Sequence, residues 1–156
     1  MSQSASNSPS DSVPADAPRT SNSAHTVLYI EDNAANVRLV ERVFAGRADI
    51  EILVATQGRL GLDLARTRHP AVVLLDLHLP DINGEQVLQQ LRDDPATRMV
   101  PVIVLSADAN YRQIQRLLEA GAVAYLTKPL DIHQLVDTVD ELISERWPRP
   151  VRSGPR

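Results

Sequence analysis

The chain has no cysteine, one phenylalanine, one tryptophan and three tyrosines in 156 residues. The missing thiols exclude disulfides, thiolate metal sites and a cysteine nucleophile. With aromatics at 3% and hydrophobic residues at 43%, any core has to be aliphatic. No apolar run approaches the roughly 18 residues of a membrane span. The N-terminus has neither a basic nor an apolar stretch of the secretory kind, so the expectation is a soluble, cytoplasmic protein. Lysine is almost absent too: Lys128 is the only one, against fifteen arginines.

The net charge of -4 is unevenly spread. Residues 25–145 carry 11 basic and 18 acidic side chains, whereas Arg146, Arg149, Arg152 and Arg156 follow with no acid among them. An acidic body argues against direct binding to nucleic acid. Residues 1–24 are mostly Ser, Ala, Asn, Pro and Asp and cannot bury enough surface to offset their ordering entropy, so a disordered tail is expected there. Residues 147–156, rich in Pro and Arg, get the same reading. That leaves one domain, 25–146.

Within it, short apolar runs alternate with helical patterns. The runs Val27–Ile30, Ile50–Val54, Val72–Leu75, Val102–Leu105 and Ala122–Leu126 read as strands. Between them, Val37, Val40, Val43 and Phe44 share one helical face. Leu60, Leu62 and Leu64 mark a weaker helix that ends before Pro70. Val87, Leu88 and Leu91 mark a third, and Ile114, Leu117 and Leu118 a fourth, closed by Gly121 as C-cap. Ile132, Leu135, Val136, Val139, Leu142 and Ile143 form the last and most regular stripe. Five βα units in a row predict an α/β fold: a flavodoxin-like, doubly wound, five-stranded parallel sheet of order 2-1-3-4-5 with five helices.

In that order the first and third strands are neighbours at the switch point, where such sheets bind ligands. Their C-terminal ends carry Glu31, Asp32 and Asp76. Three carboxylates so close repel one another unless a cation joins them. An all-oxygen set suits Mg²⁺, with Mn²⁺ as an alternative, and a main-chain carbonyl after Asp76 can add a ligand. The fourth run ends at Ser106, whose hydroxyl can reach a group placed on Asp76. The fifth ends at Tyr125-Leu126-Thr127-Lys128-Pro129. Lys128 can pair with charge on a transferring phosphoryl, and Lys128-Pro129 is a candidate cis peptide bond.

Each residue also has a plainer reading. Asp76 can open a turn, Glu31-Asp32-Asn33 can cap a helix, and Lys128 can be a surface residue. Ser106 can begin a turn, and Tyr125 can be a half-buried strand aromatic. Taken together the features favour a magnesium and phosphoryl site. A single lysine in an arginine-rich chain fits a compact point charge aimed at phosphate.

The set Tyr29-Ile30-Glu31-Asp32-Asn33, Leu75-Asp76-Leu77-His78-Leu79-Pro80-Asp81-Ile82-Asn83-Gly84, Leu105-Ser106-Ala107 and Leu126-Thr127-Lys128-Pro129-Leu130 resembles the receiver domain of two-component response regulators across about residues 25–145. The resemblance implies that Asp76 is the phosphoacceptor, served by a histidine kinase or a histidine phosphotransfer protein. It implies that Glu31, Asp32, Asp76 and the main-chain carbonyl of His78 hold the metal. Ser106, the Ala107 main chain, Tyr125 and Lys128 bind phosphate and switch. Output then passes to a protein partner through the fourth helix, fifth strand and fifth helix, with a homodimer as one outcome. Such a domain is no enzyme beyond its own phosphorylation and dephosphorylation. No output domain follows residue 145, which suggests a stand-alone receiver.

Three alternatives stay open. A haloacid-dehalogenase-type phosphatase needs a second Asp where His78 stands. A cobalamin module needs Gly where Asp81 stands. A receiver-fold interaction module without phosphorylation usually lacks one of the acids or the Lys, and none is missing here.

Overall fold

The computed structural model describes residues 24–144. The two expected tails, Ala24 apart, and the last two residues of the expected domain lie outside this range. Five strands form one parallel sheet of order 2-1-3-4-5. They are β1 (His25–Ile30), β2 (Ile50–Ala55), β3 (Val72–Asp76), β4 (Val102–Ser106) and β5 (Ala124–Thr127). The helices are α1 (Ala34–Phe44), α2 (Gly58–Arg68), α3 (Gly84–Asp93), α4 (Tyr111–Glu119) and α5 (Ile132–Ser144). None of them is long and apolar enough to cross a membrane.

The alternation of side chains along each strand divides the core in two. Leu28, Ile30, Val73, Leu75, Val102 and Val104 face Leu62, Ala65, Val87, Leu88, Leu91 and Leu117 of α2, α3 and α4. Val27, Tyr29, Val72, Leu74, Ile103 and Leu105 face Val40, Phe44, Leu135 and Val139 of α1 and α5. β3 and β4 are buried along their whole length, as expected of central strands covered on both faces.

Several boundaries differ from the expectation. α4 is capped by Ala120, and Gly121 lies one residue beyond at φ 115°. The Ala122 N–H donates to the Leu117 carbonyl and the Gly121 N–H to that of Leu118, both at 3.1 Å. This is a Schellman ending, in which the residue after the cap takes the left-handed turn. It uses Ala122, so β5 starts at Ala124 and not at Ala122. Of the three leucines that mark α2, Leu60 is 42% exposed, because the buried stripe runs through Gly58, Gly61, Leu62 and Ala65. Leu118 likewise sits at the edge of the buried face of α4.

Two long-range ties brace the frame. Arg47, after α1, bonds Asp49 and Asp140 of α5, each at 2.8 Å. Arg92 of α3 is half-buried with no carboxylate in reach among the described residues; it donates to the carbonyls of Arg98, Val100 and Gly121 at 2.8–3.2 Å.

Candidate phosphoryl and metal site

β1 and β3 pair directly, with Ile30 opposite Leu75. The residues that follow, Glu31 and Asp76, are thereby brought to one edge of the sheet. One carboxylate oxygen from each of Glu31, Asp32 and Asp76 lies within 4.8 Å of the others. Glu31 and Asp76 are buried and Asp32 is exposed. Hard oxygen donors in this number, with one side open, fit Mg²⁺.

Lys128 enters from the other side. Its N–H donates to the Ser106 carbonyl at 2.8 Å, which extends the β4–β5 pairing by one step. Its Nζ lies 2.9 Å from Glu31 Oε1 and 3.2 Å from Asp76 Oδ1. The Lys128–Pro129 peptide bond is cis. Lys128 is therefore no free surface lysine.

The electrostatics follow from burial. Desolvation pushes the Asp76 carboxyl up to about 6, helped by Glu31 and opposed by Lys128. Burial also works against the Glu31 charge. Hydrogen bonds from Lys128 and the neighbouring Asp76 outweigh it, and Glu31 is held below the usual carboxylate range. Burial opposes the charge of Lys128 as well, but Glu31 and Asp76 keep its ammonium above the ordinary lysine value. Metal-free, the Glu31–Asp76–Lys128 cluster thus combines an acid favoured in its charged form, an acid of weakened acidity and an ammonium.

Ser106, at the end of β4, is wholly buried, and its Oγ accepts from the Asp108 N–H at 3.1 Å. The Tyr125 hydroxyl, from β5, donates to the Asp108 carbonyl. Tyr125 is half-buried, packed against the α2/α3/α4 side of the core. Ala107 and His78 are exposed on the two loops flanking Asp76.

The cap reading of Glu31-Asp32-Asn33 also holds, for Asn33: it caps α1 by accepting from the Asn36 N–H at 3.1 Å. That leaves Asp32 to face the site. Gly84 opens α3, where a Cβ would come within 2.6 Å of the Leu77 Cα and 2.7 Å of the Asp76 carbonyl. Only glycine lets this helix start so close behind Asp76.

Sequence reasoning missed three supports. Tyr29 and Asn36 both donate to Glu31 Oε1, at 3.1 and 3.0 Å. Asp81 accepts from the Gly58 and Arg59 N–H groups at 2.7 and 2.9 Å, and so caps α2 from the loop after β3. The Tyr29 contact had a local signal, since residues two apart on a strand share a face. The Asp81 contact had none, being 23 residues away.

Comparison with known proteins identifies the family. The family model described as the response regulator receiver domain matches residues 27–140. The polar-differentiation response regulator DivK of Brucella ovis is 31% identical over 120 residues, covering 77% of this chain and 97% of that protein. The receiver domain of a Francisella response regulator superposes with a TM-score of 0.70 at 30% identity, covering 76% of this chain and 95% of that one. The receiver domain of a sensor histidine kinase from Pseudomonas aeruginosa PAO1, solved with a magnesium ion in its active site cleft, gives 0.70 at 25% identity, covering 78% and 98%. The match spans most of the domain, so this chain belongs to the response regulator receiver domain family.

Proposed function

We propose that Asp76 accepts a phosphoryl group from a phosphohistidine of a histidine kinase or phosphotransfer protein. The observation that carries this reading is the position of Lys128: 2.9 Å from Glu31 and 3.2 Å from Asp76, with the Asp32 carboxylate in the same cluster. A magnesium or manganese ion held by Asp32, Asp76, Glu31 and the His78 main-chain carbonyl would neutralise charge between the acids and the incoming phosphoryl.

A carboxylate oxygen of Asp76 forms the new bond to phosphorus as the bond to the imidazole nitrogen breaks. Positioning and electrostatics supply most of the catalysis. Lys128 meets charge on the equatorial oxygens, and the Ala107 N–H and Ser106 hydroxyl bind the phosphoryl oxygens. Ser106 moving toward the phosphoryl gives up the Asp108 N–H. The Asp108 peptide, also held by Tyr125, then shifts, and the α4–β5–α5 face with it. Two populations biased by local contacts suffice for such a response. Tyr111 and Leu118 of α4 and Ile132 of α5 are exposed, which suits a protein partner or a second copy of the chain. The acidic body disfavours nucleic acid. The domain acts on its own aspartate and on no separate substrate, in the cytoplasm where such kinases deliver their phosphoryl groups.

The test is transfer of labelled phosphate from a phosphohistidine donor. Wild type should take up acid-stable, base-labile label, and Asp76→Asn should take up none. Undiminished labelling of that variant rejects the assignment.

A further inference from the structure

Glu31 is 1% exposed, and its Oε1 accepts three hydrogen bonds. They come from the Tyr29 hydroxyl at 3.1 Å, the Asn36 side-chain amide at 3.0 Å and the Lys128 ammonium at 2.9 Å. Oε2 accepts one longer bond, from the Asn33 N–H at 3.3 Å. Two of the three Oε1 donors are therefore neutral and come from β1 and α1, the elements on either side of Glu31. The third is the ammonium that phosphoryl transfer requires. Tyr29 is wholly buried, so Glu31 is the partner that satisfies its hydroxyl.

We infer that Tyr29 and Asn36 are positioning residues that hold the Glu31 carboxylate in place while Lys128 is drawn to the phosphoryl group. The inference rests on Asp76 being the acceptor. A phosphoryl group carries about two negative charges at neutral pH and three acceptor oxygens. It competes with Glu31 for a single ammonium. A buried carboxylate that loses a charged donor and has no other is costly. Glu31 keeps Tyr29 and Asn36 on Oε1, besides the longer Asn33 N–H bond on Oε2, so the cost of sharing Lys128 is low in the phosphorylated state. Deleting either neutral donor should then penalise that state more than the resting one, where Lys128 remains on Glu31.

The experiment is calorimetric titration of the full chain as wild type, Tyr29→Phe, Asn36→Ala and the double variant. Each is titrated with Mg²⁺ and then, at saturating Mg²⁺, with beryllofluoride as the phosphoryl mimic. The double variant should bind beryllofluoride about tenfold more weakly, a larger loss than the one it shows for Mg²⁺, given the usual strength of hydrogen bonds to charged groups. Asn36 lies on the partly exposed surface of α1. Its single variant stays testable if Tyr29→Phe folds poorly, and should show a smaller shift of the same kind. Beryllofluoride losses no larger than the Mg²⁺ losses would make the two residues fixed struts and overturn the inference. Failure of wild type to bind the mimic at all would overturn the acceptor reading beneath it.

Discussion

Lys128 and Glu31 form an ion pair of 2.9 Å that closes the end of β5 onto the end of β1, across 97 positions of sequence. The same ammonium reaches Asp76 at 3.2 Å, so one cation holds two buried acids together. Removing Asp76 or Lys128 from this cluster should have effects whose size depends on pH.

Asp76→Asn should stabilise the metal-free domain at pH 7.5. The Asp76 carboxyl is pushed up to about 6 from an ordinary 3.8. The folded state therefore holds a proton through that window, and stability falls as pH rises from about 4 to about 6. Above it the ionised Asp76 works against folding by about 2–3 kcal/mol, from the size of the shift. The neutral amide avoids that cost. Urea unfolding with chelator should show the gain at pH 7.5 and little of it at pH 4, and added Mg²⁺ should shrink it.

Lys128→Ala leaves Glu31 and Asp76 facing each other without a cation. Breaking a buried pair costs about 3–5 kcal/mol, and some solvent access to Lys128 favours the lower end. The loss should be largest above pH 6, where both acids are ionised, and smaller at pH 5. Mg²⁺ binding should survive, because the carboxylates remain. Unfolding curves at the two pH values together with a Mg²⁺ titration check both statements.

Asp81→Ala should loosen the start of α2 and spare the phosphoryl site. Hydrogen bonds from the Arg59 and Gly58 amides hold the Asp81 carboxyl below its ordinary range. Its contribution is therefore present above the ordinary carboxylate value and lost as pH falls through the lowered one, opposite in sign to Asp76. Amide exchange at Gly58 and Arg59 should quicken in the variant at neutral pH, with unchanged Mg²⁺ affinity.

Gly121→Ala should destabilise by about 2 kcal/mol, the usual cost of a backbone conformation that a side chain resists. The φ of 115° is one cause, and the Arg92 side chain, 2.6 Å from a Cβ built at Gly121, is the other. A shift of the urea midpoint at constant slope would measure it.

Tyr125→Phe frees the Asp108 carbonyl while Ser106 still holds the Asp108 N–H at 3.1 Å. Amide exchange across residues 107–110 should rise, with no change in Mg²⁺ affinity.

Much of this was legible in the chain. Val72–Leu75 and Val102–Leu105 announce central strands because a strand covered on both faces tolerates no polar side chain. Glu31, Asp76, Ser106 and Lys128 stand out because each ends such a run, and parallel strands place their C-terminal ends on one edge. Less legible were contacts that depend on how elements pack. Leu60 and Leu62, two apart, cannot share a helical face, and the buried stripe runs through Gly58, Gly61, Leu62 and Ala65, where two glycines hide the pattern. The start of β5 shifted because the Schellman turn claimed Ala122.

By itself, then, the sequence determined the order of elements, the faces of the strands and the identity of the charged groups at their tips, since these depend on periodicity and chain direction. Only the tertiary structure decided that Glu31 is the buried acid and Asp32 the exposed one, that Tyr29 and Asn36 serve the same oxygen as Lys128, and that Asp81 caps a helix preceding it in the chain. Those relations are hydrogen bonds a few ångströms long between segments whose approach is set by the packing of the whole core, and no local pattern carries that distance.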